Sequence, residues 1–276
     1  MTTYGSSKPE SNTEYRQLEN VGTVESLWRY PVKSMRGEEV GQAFLGFAGV
    51  YGDRCYAIRD SAALDGFPFL TGREQERMLL YRPKFRHPQQ AALPPNLAQA
   101  EALGPGLTPV FGNLSLDVET PDGRTLAIDD PTLIAELTAS LDENHELSIS
   151  RSDRAITDCR PISIFSLRTA QRIGEEAGLT LDKRRFRANV FANLELDGFA
   201  ENAFVGRKVQ IGKQAVIAII ATDPRCKMIT LDPDTAEARP EVLRAVARNH
   251  DGNAGLYGAV LVEGVVQAGD AIVVLD

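Results

Sequence analysis

The residue best suited to chemistry in this sequence is Cys226, which lies in the run Asp-Pro-Arg-Cys-Lys. The Asp-Pro pair favours a turn, and the two cations that flank the cysteine favour its thiolate form. A thiolate attacks electrophiles and binds soft transition metals. The alternative is that Cys226 is only a small buried hydrophobe. That is how we interpret Cys55 and Cys159, each of which lies in or beside an apolar run.

A second candidate is the run Tyr-Pro-Val-Lys-Ser-Met-Arg-Gly at residues 30–37. Lys33 and Ser34 could present an ammonium group, a hydroxyl and backbone N–H groups to a phosphate. The run lacks the upstream glycines of a Walker loop. Taken alone, the composition of this run is more typical of an exposed, charged end of a strand than of a phosphate site.

Residues 183–189 form a third candidate, Lys-Arg-Arg-Phe-Arg-Ala-Asn. Because the run enters an apolar strand, alternation predicts that Arg185, Arg187 and Asn189 share one face. There they could bind a phosphate or the edge of a pterin, and the alternative is a solvated basic surface.

Two shorter motifs complete the set. Arg54 follows a Gly-rich stretch and could join an anion site, or it could form a structural ion pair with Asp53 or Asp60. The Asp-Pro-Asp run at residues 232–234 could serve acid–base chemistry, but its composition favours a turn.

A β-rich fold must position these residues. Short β-branched runs separated by glycines predict many short strands and few helices, the pattern of a β-barrel with helices packed outside. Asp130-Pro131 opens a predicted helix, Ser166 caps another that ends at Gly178, and Pro240–Asn249 is a third. Asp122-Gly123 predicts a hairpin turn. Strands are predicted at residues 21–30, 40–47, 55–59, 70–73, 77–81, 114–119, 125–128, 147–150, 161–165, 189–194, 208–211, 216–221, 228–231, 259–262 and 271–275.

We divide the chain at residues 128 and 129. Residues 1–20 are polar and predict a disordered tail, and residues 21–128 predict an N-terminal β domain. Within that domain, residues 83–109 hold six prolines and predict an irregular loop. Residues 129–276 predict the larger β-barrel.

Composition narrows the possible functions. Of the 276 residues, 43% are apolar and 25% charged, as in ordinary globular proteins. The net charge of −8 argues against nucleic-acid binding, and no apolar run is long enough to span a membrane. The N-terminus lacks the features of a secretory signal, which predicts a cytoplasmic protein. No C-x-x-C pair occurs, which argues against a structural zinc site or an iron–sulfur cluster.

Taken together and in their order along the chain, these motifs resemble those of the MOSC family (molybdenum cofactor sulfurase C-terminal domain). The resemblance is greatest to its two-part members, the mitochondrial amidoxime-reducing components and their bacterial relatives. It runs from about Val24 to the C-terminus, with Ala188 and Ala236 standing where the family has Pro and Gly. The landmarks are residues 30–37, Gly52-Asp53-Arg54, Thr71-Gly72-Arg73-Glu74, residues 186–190, residues 224–235 and residues 256–270.

The resemblance implies a MOSC-type β-barrel with peripheral helices, preceded by a smaller N-terminal β-barrel-like domain. It also implies a molybdenum cofactor, in which Cys226 would be both the catalytic residue and the protein ligand to the metal. The residues that would hold the pterin and its phosphate are Lys33, Ser34, Arg54, Ser166, Arg187, Asn189 and Arg225.

The implied activity is reduction of N-hydroxylated or other N-oxygenated small molecules by oxygen-atom removal at molybdenum. No ferredoxin-type cysteine pattern is present, so we expect electrons from a separate protein, either a ferredoxin or a cytochrome b5-like protein with a reductase. The alternatives are a sulfur-transfer module that carries a persulfide on Cys226, and a carrier of the molybdenum cofactor.

Overall fold

The computed structural model describes residues 19–103, 110–142 and 144–275. Most of the predicted tail lies outside these ranges. Its last two residues do not belong to a tail, because Glu19 and Asn20 pair with Val274 and Val273 in the sheet.

Strands dominate the described residues. They are β1 Glu19–Arg29, β2 Glu38–Val40, β3 Gln42–Gly46, β4 Gly49–Val50, β5 Tyr56–Asp60, β6 Arg82–Phe85, β7 Leu116–Glu119, β8 Thr125–Ala127, β9 Leu147–Arg151, β10 Ile162–Ser166, β11 Val190–Leu194, β12 Lys208–Ile211, β13 Ala215–Pro224, β14 Asn253–Val262, β15 Gly264–Gln267 and β16 Ala271–Leu275. The α-helices are α1 Leu97–Leu103, α2 Pro131–Thr138, α3 Leu167–Ala177 and α4 Pro240–Asn249. Short 3-10 helices occur at Glu76–Leu80, Lys183–Phe186, Ala200–Phe204 and Lys227–Thr230.

Seven strands close into a barrel in the order β11-β10-β14-β13-β12-β16-β1, with β1 pairing back to β11. Their inward side chains alternate with outward ones and form an aliphatic core that includes Ile217, Ile272 and Val209. The predicted β-rich barrel with few helices is therefore confirmed. β1 completes this barrel although it begins the predicted N-terminal domain.

A second core collects the small sheets β5-β9 and β6-β7-β8, while the sheet β15-β3-β4 lies between the two cores and contributes side chains to both. Helix α2 adds Leu133 and Leu137 to the second core, and β9 pairs along β5. The division at residues 128 and 129 stays a prediction. The structure adds that α2 and β9, from beyond that point, pack with the earlier residues.

Local signals account for several elements. The Asp122-Gly123 turn joins β7 and β8 as an antiparallel pair, and the Asp130 side chain accepts from the Thr132 N–H at 2.8 Å to cap α2. Helix α4 has the predicted bounds. In the described part of the chain, no helix has both the length and the apolar character that a membrane span requires.

Other expectations were wrong. The strands predicted at residues 70–73 and 77–81 are a turn and a 3-10 helix, in which Met78 N–H donates to Gln75 at 3.1 Å. The strand predicted at residues 228–231 is also a 3-10 helix, because Ile229 N–H bonds back to Cys226 at 3.2 Å. The 83–109 segment is not irregular throughout, since it holds most of β6 and all of α1; residues 104–109 lie outside the described ranges.

Candidate functional site

A cleft opens beside the barrel strands and is lined by residues that follow β1 and β13, that precede β11, and that lie within β10 and β14. The cavity volume of the cleft is about 110 Å³. Seven of the eight predicted site residues line it: Lys33, Ser34, Arg54, Arg187, Asn189, Arg225 and Cys226. The other lining residues are Thr157, Asp158, Arg160, Ser163, Arg185, Phe186, Asp223, Pro224, Met228, Ile229 and Tyr257.

Ser166 is the predicted site residue that does not line the cleft. It is buried at the end of β10, and its hydroxyl accepts from the Arg168 N–H at 3.2 Å, which caps α3. Gly178 ends this helix with a φ of 69°. The predicted helix cap is therefore confirmed. Because Ser166 lies outside the cleft lining, its position gives no support to a role in holding a cofactor.

Cys226 lies just before the 3-10 helix Lys227–Thr230 and is partly exposed. Of the other two cysteines, Cys55 is buried as expected, but Cys159 is exposed, so its interpretation as a buried hydrophobe was wrong. The Lys227 ammonium is directed away from the cleft, because it donates to the Arg73 carbonyl at 2.9 Å and lies 2.8 Å from Glu76.

Two arginines lie against the ring of Tyr30 on one side of the cleft. The guanidinium carbons of Arg54 and Arg187 are 4.6 and 4.4 Å from the ring centroid. Arg54 pairs with the buried carboxylate of Asp53, as its alternative interpretation predicted. Arg187 donates to the Met35 carbonyl at 2.8 Å but forms no ion pair with any described residue.

The two arginines differ in pKa for this reason. Burial acts to lower the pKa of Arg54, but the Asp53 ion pair, Tyr30 and Asp158 together outweigh it, so this pKa lies above the ordinary arginine value. Burial lowers the pKa of Arg187 to about 10, and the charge of Arg54 adds to the effect. Arg187 therefore carries a half-buried charge with no ion-pair partner among the described residues, and a bound anion would stabilise that charge.

The backbone at the cleft is locally strained. Ser34, Arg54 and Arg187 have φ angles of 65°, 43° and 52°, in the left-handed region that favours glycine. Each such residue costs on the order of 1 kcal/mol, and residues of this kind cluster at ligand sites. The conformation can also turn successive N–H groups toward one concave surface, which binds anions.

Lys33 lies beside this group. Its buried ammonium pairs with Asp158 at the rim of the cleft and donates to the Ile156 carbonyl at 3.0 Å. Burial lowers the pKa of Lys33, although Asp158 opposes that effect. The positive charge of Lys33 is thus partly balanced by Asp158, which the strand pattern of the sequence did not identify as a site residue.

Arg185 and Asn189 reach the cleft by a route that the sequence did not predict. Residues 183–186 form a 3-10 helix and Arg187 is left-handed, so simple alternation does not apply. Arg185 donates to the Thr230 carbonyl and to Asp232, both at 2.7 Å, while its buried Nε has no partner among the described residues.

Asp158, Asp223 and Tyr257 were missed as site residues. Asp223 begins the Asp-Pro-Arg-Cys run, so its place near Cys226 could have been expected. The Asp-Pro-Asp run forms a turn as predicted, with Asp232 accepting the N–H groups of Asp234 and Thr235 at 3.0 and 3.1 Å.

Comparison with known proteins identifies the family. Family models match residues 151–273, as the MOSC domain, and residues 21–106, as the MOSC N-terminal beta barrel domain. This chain is a two-part member of the MOSC family. All eight predicted site residues fall within the two matched stretches of this MOSC protein.

Its relatives include Mitochondrial amidoxime reducing component 2 of Bos taurus, 28% identical over 253 residues that cover 80% of this chain and 69% of the relative. The protein of that name from Rattus norvegicus is 24% identical over 254 residues, covering 80% and 70%. Among solved structures, the YUAD protein from Bacillus subtilis has a TM-score of 0.47 and 15% identity over 94% of this chain and 98% of that one.

The donor set of the MOSC cleft suits the cofactor with which the family is associated. Six cations and two carboxylates line the cleft of a protein whose net charge is −8. Two further carboxylates, Asp53 and Asp232, pair with Arg54 and Arg185, so the cleft keeps a positive surplus of two charges. An anionic pterin phosphate fits that surplus. No group of three or more His, Cys, Asp or Glu side chains in the described ranges could hold a metal ion, so a metal at Cys226 must bring its other ligands.

Proposed function

We propose that this MOSC protein binds a molybdenum cofactor in the cleft and reduces N-hydroxylated or other N-oxygenated compounds. The observation that carries the proposal is the half-buried guanidinium of Arg187, which forms no ion pair within the described residues and lines the same cleft as the partly exposed Cys226. The name of its relatives supports the reaction, since amidoximes are N-hydroxylated amidines.

Arg187, Lys33 and Ser34 would hold the phosphate and pterin, and Cys226 would be the protein ligand to the metal. Arg54 contacts the same Tyr30 ring as Arg187 and would add a second positive charge beside the anion. When bound, the cofactor supplies two-electron redox chemistry at molybdenum.

Other residues would shape the substrate side of the cleft. Phe186, Met228 and Ile229 give it apolar surface, which excludes water from the reacting group. The Asp158 carboxylate at the rim is 44% exposed, and beside its ion pair with Lys33 it could accept a hydrogen bond from an N–H or N–OH group of a neutral amidoxime.

The electron donor and the cellular location are also proposals. We infer that a ferredoxin or a cytochrome b5-like protein with a reductase delivers the electrons. The relatives are named as mitochondrial, and the cytoplasmic location of this protein stays a prediction.

Metal analysis tests the proposal. The wild type, Cys226→Ser and the control Cys159→Ser would be purified from a host that makes the cofactor, and their molybdenum and pterin contents measured. We expect equimolar molybdenum in the wild type and in Cys159→Ser, where the altered thiol is exposed, and loss of molybdenum in Cys226→Ser. Benzamidoxime reduction with reduced viologen should follow the metal content.

A wild-type protein without molybdenum would contradict the proposal. An added sulfur on Cys226 without metal, seen by mass spectrometry, would favour sulfur transfer. Equal cofactor affinity in the wild type and Cys226→Ser, without turnover in either, would favour a carrier.

A further inference from the structure

We propose that Arg225 is a positioning residue, which fixes the backbone of Cys226 and the floor of the cleft, and that it does not bind the phosphate of the cofactor. The MOSC resemblance had placed Arg225 among the residues that would hold the pterin and its phosphate. The proposal rests on the proposed function only in taking Cys226 as the reactive group.

Two of the three guanidinium nitrogens of Arg225 already donate hydrogen bonds to the protein, and the third faces a carboxylate. Its Nε donates to the Ala254 carbonyl at 2.7 Å, and its Nη1 donates to the Phe186 carbonyl at 2.9 Å. Its Nη2 lies 2.8 Å from the Asp223 carboxylate, an ion pair without hydrogen-bond geometry. The side chains of Arg225 and Asp223 are only 7% and 3% exposed, so the pair faces the protein on nearly all sides.

The surroundings are also built to accept this side chain. Phe165 and Phe186 stack with their ring centroids 4.0 Å apart, and the guanidinium carbon lies 5.2 and 5.6 Å from those centroids. Gly255 has a φ of +80°, and a Cβ there would lie 3.0 Å from Nη2. The absence of a side chain at Gly255 thus leaves room for the guanidinium.

These contacts fix the residue that precedes Cys226 in the chain. The side chain of Arg225 joins the end of β13, the start of β14 and the 3-10 helix Lys183–Phe186, and its N–H donates to the Gly252 carbonyl at 2.7 Å. On the other side, the Cys226 carbonyl accepts from the Ile229 N–H at 3.2 Å. The thiol therefore projects from a backbone held on both sides.

Arg187 provides the matched comparison. Both guanidinium groups line the same cleft, but Arg187 makes one hydrogen bond and no ion pair within the described residues. Lysine keeps the charge of either arginine but cannot reproduce a forked set of donors. Arg225→Lys and Arg187→Lys should thus separate positioning from anion binding.

The test uses the metal-free full-length protein. Amide hydrogen exchange would be measured by mass spectrometry, and pyrophosphate binding by calorimetry. In Arg225→Lys, exchange of the peptide around Cys226–Ile229 should accelerate about tenfold, a change of about 1.4 kcal/mol in local opening. Pyrophosphate affinity should stay at the wild-type value. Arg187→Lys should show the reverse pattern.

A fall in pyrophosphate affinity in Arg225→Lys equal to that in Arg187→Lys would overturn the proposal. So would unchanged exchange around Cys226, or acceleration spread evenly over the chain, which marks a general effect on stability. If Arg225→Lys fails to fold, Asp223→Asn replaces it in the test, because this substitution removes the charge beside Nη2 and keeps the shape of the side chain. Faster amide exchange confined to the peptide around Cys226–Ile229 would then support the proposal. Unchanged exchange of that peptide would refute it. Because no metal is involved, these results stand apart from the outcome of the molybdenum analysis.

Discussion

Replacing Arg187 with Met removes a half-buried charge but keeps a long, flexible side chain. The pKa of Arg187 is about 10 instead of the ordinary 12.5, because burial disfavours the charged form. With about 1.36 kcal/mol for each tenfold change in proton affinity, the charge costs the folded protein on the order of 3 kcal/mol. Since the folded-state pKa is the lower one, the cost is present in full at neutral pH and fades only as the pH rises above about 10.

The substitution also removes favourable contacts. The Tyr30 ring contact is worth about 1 kcal/mol, and the hydrogen bond to the Met35 carbonyl about 2 kcal/mol. These losses nearly cancel the gain, so Arg187→Met should keep the free energy of unfolding within about 1 kcal/mol of the wild type. The control Arg225→Met breaks a buried ion pair and leaves Asp223 without its counter-ion, which should lower the free energy of unfolding by about 3–5 kcal/mol.

Urea unfolding of the cofactor-free proteins at neutral pH, with and without pyrophosphate, is the assay. An anion that binds only the folded state at about 100 times its Kd stabilises that state by about 2.7 kcal/mol. We expect this stabilisation in the wild type and its loss in Arg187→Met. The reasoning is refuted if Arg187→Met is destabilised as much as Arg225→Met, or if pyrophosphate stabilises it as fully as the wild type.

Three further predictions concern stability. Ser166→Ala should lower the free energy of unfolding by about 1 kcal/mol, because α3 loses its cap, and calorimetry should find pyrophosphate binding unchanged; weaker binding would return Ser166 to the anion site. Burial raises the pKa of Glu201, although its hydrogen bond from Thr169 opposes that effect. The stability of the wild type should therefore fall as the pH rises from the ordinary glutamate pKa through the raised pKa of Glu201 in the folded state. Glu201→Gln should remove that slope in thermal melts from acidic to neutral pH, and an unchanged slope would exclude Glu201 as its source. Gly255→Ala should destabilise by about 2–3 kcal/mol in urea, since the new Cβ would lie 2.6 Å from the Phe165 ring; a neutral result would show that the site can relax.

The sequence by itself determined the features that depend on near neighbours. The cap of α2 at Asp130, the cap of α3 at Ser166 and the hairpin at Asp122-Gly123 each involve groups within a few residues, so residue types were sufficient. The ordered motifs also indicated the family and seven residues of the cleft, because each motif keeps its place in the chain whatever its local conformation.

Tertiary structure alone decided how those residues are used. Residues 228–231 have the composition of a strand but form a 3-10 helix, and β1 completes a barrel made mostly from the other end of the chain. The sequence presents Arg187 and Arg225 as equivalent cations. Only the fold pairs Arg225 with Asp223 and leaves Arg187 half-buried with no ion-pair partner in the described part of the chain, because ion pairing and desolvation depend on which distant residues the barrel brings together.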